Sequence, residues 1–139
     1  MPLTTQQITL VQRSLPLISP MASSIGEKFY AILFQRHPEL RILFQNNMKD
    51  QARKLMTILI HVMTHLDQFN TLEGDLHALA QRHIGYMVRA EHYTHVGEAF
   101  LETLAQELGE RWTPELAQAW QDAYDYLAET MLSVYSMDN

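Results

Sequence analysis

Within LAQRHIGYM (79–87), His83 sits among apolar residues at helical spacing. An imidazole in that setting is either a satisfied core side chain or a metal ligand, because burial disfavours the protonated ring and leaves one nitrogen lone pair available. Two other stretches favour the second reading. DQARKLMTIL (50–59) reads as an amphipathic helix about thirty residues upstream, with Gln51 a turn before Leu55 and on the same face. EHYTHVGEAFL (91–101) opens another helix about ten residues downstream. A flat apolar cofactor with a metal at its centre needs such a set: one helix to offer an imidazole, one to cap the opposite side, and others to close the pocket. Haem, bound through His83, fits it.

The other six histidines carry weaker signals. His61 and His65 have the i, i+4 spacing of a metal pair, but the glutamate and third ligand of a zinc hydrolase are missing. His61 also follows Gln51 by ten residues, and at about 100° per residue it points well off the face that Gln51 occupies. His37, His77, His92 and His95 read as surface or helix-end residues.

A chain of 139 residues fits one domain, since at this size roughly two thirds of the unfolded surface can be buried around a single core. Ten Lys and Arg against 16 Asp and Glu give a formal charge of −6. No basic face with interleaved aromatics stands out, so nucleic acid and anionic membranes are poor partners. The absence of cysteine excludes disulfides, thiolate-bound zinc, iron–sulfur clusters, thiolate-ligated haem and covalent haem attachment. Any haem must be held non-covalently. MPLTTQQITL lacks the basic start and apolar run of a signal peptide, and no apolar stretch approaches the roughly 20 residues that span a bilayer. A cytoplasmic location is the expectation. Eight methionines suit a core that moulds itself around an irregular object, although an ordinary core accommodates them too.

Five prolines and five glycines punctuate the chain, and no interior stretch alternates strictly between apolar and polar, so the pattern is all-helical. Thr4 with Gln7 forms a capping-box signature for a helix through Ile18, buried along Ile8, Val11, Leu15 and Ile18 and ended by Pro16 and Pro20. A second helix runs from about Met21 to Gln35 with Ile25, Phe29, Ile32 and Leu33 as its apolar set and Tyr30 beside them. His37-Pro38 marks a corner and a short helix through Leu43, followed by Phe44 and a polar loop, QNN. A third long helix spans Asp50 to about Leu66, with Leu55, Leu59, Val62 and Leu66 inward. A loop near Asn70 and Thr71 leads to the His83 helix, buried at Leu76, Leu79 and Ala80. After a turn at Val88 to Ala90 the next helix presents Val96, Phe100, Leu104 and Leu108, with Gly109 as its stop. Thr113, Pro114 and Glu115 open the last helix, which buries Leu116, Trp120, Ala123, Tyr124, Leu127 and Met131 before a frayed SMDN end.

The ordered set FY (29–30), HPEL with LF (37–44), DQARKL (50–55), RH (82–83), YTHVGEAFL (93–101) and AWQDAY (119–124) covers essentially the whole chain. It resembles the globins, specifically bacterial single-domain haemoglobins related to the haem domain of flavohaemoglobins, with some likeness to neuroglobins. The resemblance implies a single all-α globin domain over residues 1–139, of about six to eight helices around a pocket for haem b, iron protoporphyrin IX. It places the proximal iron ligand at His83, the haem-stacking phenylalanine at Phe44, the distal glutamine at Gln51 and the next pocket residue at Leu55. It also puts the distal tyrosine at Tyr30 and the proximal tyrosine that buttresses the ligand at Tyr93. Val96 would line the cofactor, and Lys54 and Arg82 would meet its propionates. For Tyr30 the alternative is a core tyrosine bonded to a backbone carbonyl; for Gln51, Lys54 and Arg82 it is a solvated helix residue. Tyr93 has two readings as well, packing under the haem or touching His83.

The implied chemistry is reversible, tight binding of a diatomic gas, chiefly O2 and also CO or NO, at a pentacoordinate haem. Phenol and amide donors at Tyr30 and Gln51 could each contribute about 1.5–3 kcal/mol, enough to slow oxygen escape about ten- to a hundredfold. A linked activity is nitric oxide dioxygenation to nitrate, in which Tyr30, Gln51 and Tyr93 would be the catalytic set. Flavohaemoglobins carry a proximal glutamate on the last helix where this chain has Tyr135, which weakens the case for peroxidase-like O–O cleavage. The chain ends soon after the last helix, so electrons are expected from a separate flavin reductase, with the protein itself a monomer or weak homo-oligomer. The competing functional reading is a haem-based gas or redox sensor acting through a partner protein. A third is a haem-free helical regulator.

Overall fold

The computed structural model describes residues 3–44, 47–85 and 88–137, the last three by backbone alone. Six α-helices follow in order: α1 (Thr5–Ile18), α2 (Ala22–Arg36), α3 (Met48–Thr64), α4 (Glu73–Gly85), α5 (Ala90–Leu108) and α6 (Pro114–Met137). Short 3-10 turns occupy Ser19–Met21, Pro38–Leu43, Leu66–Thr71 and Gly109–Arg111. No strand occurs among the described residues. The expected loop at Gln45 and Asn46 and the final Asp138 and Asn139 lie outside them.

Local chemistry accounts for the boundaries. Thr4 accepts a hydrogen bond from the Gln7 amide, and the Gln7 side chain accepts from the Thr4 amide, closing the capping box at 3.1 Å on both sides. At α3 the cap is Asn47, whose side-chain oxygen accepts from the amides of Lys49 and Asp50. Gly109 adopts φ 56° and stops α5, a left-handed conformation that costs glycine no Cβ clash. Thr113 caps α6 through the Leu116 amide at 3.2 Å.

Three sequence expectations are corrected. Pro16 does not end α1; it sits in the last turn, and the helix continues to Ile18 with the Ser19 amide bonded to the Leu15 carbonyl. So near a terminus a proline removes only one intrahelical bond, and packing of Ile18 carries the chain past it. The third helix, expected from Asp50 to about Leu66, starts two residues earlier because Asn47 caps it, and it ends at Thr64. The expected loop near Asn70 and Thr71 is the end of a 3-10 turn, Leu66–Thr71, which buries Leu66 and Phe69 while Asn70 and Thr71 stay exposed.

One contiguous apolar core runs from Leu3 to Val134. α2 packs on α3 and α5, α1 and α4 pack on α6, and α5 joins α6. The α2–α3 crossing is close because Gly26 has no side chain: a Cβ there would lie 2.8 Å from the Ala52 Cβ and 3.1 Å from the Ala52 carbonyl oxygen. Buried polar groups tie α1 to α6. The Trp120 indole donates to Ser14 Oγ at 3.0 Å, and the Ser14 hydroxyl donates to the Val11 carbonyl at 2.6 Å, so neither is left unsatisfied.

Consecutive helices α3 and α4 have no substantial interface with each other among the described residues; each leans on a different neighbour. Because α3 and α4 do not pack substantially on each other while both carry half-buried apolar side chains, Leu55 on one and Leu79 and Ile84 on the other, the space between them is the candidate slot for an apolar ligand.

Candidate functional site: a histidine and a phenol on separated helices

On one side of the slot, α4 positions His83 in its last turn. Acidic Glu73 and Asp75 in the first turn and basic Arg82 in the last complement the helix dipole. His83 is half-buried, and its Nδ1 lies 2.8 Å from the Leu79 carbonyl oxygen. A carbonyl can only accept, so Nδ1 carries the proton and the lone pair resides on Nε2. Desolvation holds the imidazole below the ordinary histidine pKa, the Leu79 bond opposes that shift, and the Arg82 charge adds to it. The ring is therefore a neutral donor with its tautomer fixed, the state a metal requires. The Val88 amide donates to the His83 carbonyl at 3.0 Å.

Tyr93, in the first turn of α5, is buried beneath this ring. The two ring centroids are 6.2 Å apart with planes inclined by 27°. Tyr93 is fixed from behind, since the Tyr124 hydroxyl on α6 donates to its carbonyl at 2.6 Å. Val96, three residues further along α5, is half-buried.

On α2 and the corner after it stands an aromatic cluster. Tyr30, 6% exposed, packs edge-on against Phe29 at 4.7 Å and Phe44 at 5.3 Å, and stacks on Phe34 at 5.8 Å. No described carbonyl accepts from its hydroxyl, so the alternative of a backbone-bonded core tyrosine finds no support. Burial pushes the phenol up to about 12. Phe44 is half-buried, with one face on Tyr30 and Phe34. Its carbonyl accepts from Arg41 at 2.9 Å, and that guanidinium also sits 5.2 Å from the Phe34 ring centroid. Gln51 and Leu55, a turn apart on α3, are both half-buried, while Lys54 and Arg82 are exposed.

Sequence reasoning missed three parts of this frame. Arg41 holds Phe44 from three residues upstream, Phe34 completes the cluster one helical turn after Tyr30, and Tyr124 had been assigned only to the apolar face of α6. Spacing within HPELRILF could have suggested Arg41; nothing local could have paired Tyr124 with Tyr93 across 31 residues. Tyr135, set against the missing proximal glutamate, lies among the residues whose side chains are not described, as do Tyr86 and Met87. The His61 and His65 rings lie 4.6 Å apart with planes tilted by 50°, and His65 Nδ1 is 2.9 Å from the His61 carbonyl oxygen. No group of three His, Asp or Glu suited to a metal ion occurs among the described residues. His37 caps α2 and stacks on His95 at 3.8 Å, and His92 accepts from the Arg89 amide at 2.9 Å. These are helix-end roles.

The residues fit a haem. His83 offers one free imidazole nitrogen, and apolar side chains that are neither buried nor exposed (Phe44, Leu55, Leu79, Ile84, Val88 and Val96) stand on elements around the slot. Two open surface clefts, of about 390 Å³ between α1 and α3 and about 270 Å³ behind Tyr30, do not include His83.

Residues 27–131 match the profile of the Globin family. The chain belongs to the globin family. A globin-like protein of uncharacterized function from Aquifex aeolicus is 29% identical to this globin over 95% of this chain and 94% of its own length. A flavohemoprotein of Deinococcus radiodurans is 33% identical over 95% of this chain but only 34% of its own length. This globin therefore spans about a third of that relative. Among solved structures, an engineered carbene transferase built on a proposed nitric oxide dioxygenase from Rhodothermus marinus superposes with a TM-score of 0.86 at 30% identity, covering 97% of both chains. The globin fold, all-α, is thereby shown, and family membership implies haem binding. No helix among the described residues is long and apolar enough to cross a membrane.

Proposed function

We propose that this globin binds haem b through His83 Nε2, takes a diatomic gas on the opposite face, and acts as a tight oxygen binder with nitric oxide dioxygenase activity supported by a separate flavin reductase. The observation that carries the reading is the His83 imidazole, neutral and tautomerically fixed by Leu79, on a helix that stands apart from the one bearing Gln51.

When bound, the haem supplies the iron that coordinates the gas and exchanges electrons. The chain supplies the surroundings. Phe44, Leu55 and Val96 cover apolar cofactor surface, and exposed Lys54 and Arg82 are suited to propionate carboxylates at its edge. Tyr93 limits rotation of the His83 ring, which it does by stacking rather than by an ion pair. Tyr30 keeps its phenol protonated through the physiological range, so it is a donor and not an anion. A phenol O–H and the Gln51 amide would each donate to the partial negative charge on a bound oxygen molecule. When bound, the haem would supply the oxidation of nitric oxide to nitrate, with one electron per turnover returned by a reductase, and Tyr30 and Gln51 would be the groups that hold the oxygen.

Stopped-flow measurement of oxygen dissociation tests the distal roles. Tyr30→Phe and Gln51→Leu are each expected to accelerate release about ten- to a hundredfold, from a bond of roughly 1.5–3 kcal/mol. Unchanged rates in both variants would show that neither bond is made. Mixing the oxygenated protein with nitric oxide should give one nitrate per haem; no nitrate would remove the dioxygenase activity and leave gas binding alone.

A further inference from the structure

His61 and His65 take no part in the haem site. His61 lies in the last turn of α3 and His65 caps that helix, and four residues of separation put both side chains on one helix face. The His65 amide bonds to the His61 carbonyl oxygen at 3.3 Å, and its ring Nδ1 lies 2.9 Å from the same oxygen. A carbonyl only accepts, so His65 Nδ1 holds the proton and the Nε2 lone pair is free. The His61 ring is exposed and has no hydrogen-bond partner among the described residues, so it offers a lone pair as well. The backbone beneath the pair is held in place, since the Gln12 side-chain amide on α1 donates to the carbonyls of Met63 and Thr64 and to the Asp67 carboxylate. The last carbonyls of a helix also favour a cation.

Ring separation decides what such a pair can hold. When two imidazole nitrogens bind one cation at about 2.0–2.1 Å, with each ring centroid about 1.1 Å behind its nitrogen, the centroids stand about 4.5 Å apart for a right-angled N–metal–N and about 5.2 Å apart for a tetrahedral one. The His61 and His65 centroids are 4.6 Å apart with planes tilted by 50°, close to the right-angled value. His37 and His95 make the contrast: at 3.8 Å and 26° they lie flat against each other, too close for their nitrogens to share one cation. We propose that His61 and His65 form a surface site for a divalent transition-metal cation that takes imidazoles at right angles, Cu2+ first and Ni2+ next, with water in the remaining positions. Square and tetragonal arrangements suit these ions, whereas four-coordinate zinc takes the wider angle. With two protein ligands the site is open and exchangeable, and it lacks the third ligand and general base of a zinc hydrolase. It stands independently of the haem reading.

Calorimetric titration of the ferric, haem-loaded protein with Cu2+, Ni2+ and Zn2+ in a weakly coordinating buffer tests the site, and electron paramagnetic resonance of the copper form reads its nitrogen ligands. A site for one Cu2+ per chain is expected, tighter for Cu2+ than for Ni2+ or Zn2+, with the hyperfine pattern of two nitrogens. His61→Gln and His65→Gln should each weaken Cu2+ binding at least about tenfold, because the second imidazole acts as an intramolecular ligand at high effective concentration. His95→Gln serves as the comparison and should bind as the wild type does. Cu2+ should raise the melting temperature of the wild type and leave that of the two variants unmoved, since an unfolded chain does not hold the rings together. His61 is exposed, so metal-free His61→Gln should melt with the wild type, which separates lost binding from lost folding. Cu2+ affinity unchanged in His61→Gln and His65→Gln, or lowered as much by His95→Gln, overturns the assignment.

Discussion

A phenol that is to donate a hydrogen bond inside a pocket must keep its proton, and burial secures this for Tyr30 by pushing its pKa from 10.0 to about 12. The linkage has a definite sign. Below pH 10 both folded and unfolded chains hold the proton; above it the unfolded chain ionises first, so stability falls as pH rises and Tyr30's contribution is spent by about pH 12. Two pKa units correspond to roughly 2–3 kcal/mol. Burial raises the Tyr124 phenol too, with Asp125 adding to the shift, so denaturant midpoints between pH 9 and 12 should decline in the wild type and decline less steeply in Tyr30→Phe. Equal slopes would mean that Tyr30 is not buried as described. At this scale the chemistry-bearing residues were legible: His83 from its apolar helical setting, Gln51 and Leu55 from a shared face, Phe44 from the corner motif. Their supports were not. That Leu79 fixes the His83 tautomer follows from i−4 geometry only once the rotamer is known, and the Arg41 contact to the Phe44 carbonyl depends on how the corner bends.

Helix-to-helix spacing decides whether those residues face a common space. Gly26 sets the α2–α3 crossing, one helical turn before Tyr30 and against Ala52, the neighbour of Gln51. Gly26→Ala would press a methyl onto the Ala52 backbone, which cannot swing aside, and is expected to cost about 1–3 kcal/mol in urea unfolding. Gly74→Ala makes a contrast: nothing lies within 4 Å of its Cβ position in the first turn of α4, so it should be neutral or stabilise by up to about 1 kcal/mol. Similar losses from both would contradict the close crossing. The helices themselves were largely readable from caps and periodicity, with Thr4, Gly109 and Thr113 acting as the sequence implies. The errors came where tertiary packing overruled a local rule, as at Pro16, which α1 carries through its final turn, and at Leu66–Thr71, where Leu66 and Phe69 turn an apparent loop into buried structure. Which helices touch was not legible at all, since Gly26 does not announce its partner.

Across the whole molecule, α3 and α4 lean on different neighbours, and both carry half-buried apolar side chains at the candidate slot. Filling that slot should stabilise the fold by mass action, by about 4 kcal/mol when free haem is at a thousandfold excess over its dissociation constant. Haem removal is therefore expected to lower the melting temperature and to speed amide exchange in α4 more than in α1, whose ties to α6 run through Ser14 and Gln7 and are remote from the slot. Uniform acceleration across both helices would argue against a local slot. The central claim is the bond from His83 to haem iron, and visible absorption of the protein reconstituted with haem, wild type beside His83→Ala, tests it most directly. A Soret band that titrates to one haem per chain and is lost or strongly altered in His83→Ala is the predicted result; a band identical in the two proteins, or none in either, would contradict it.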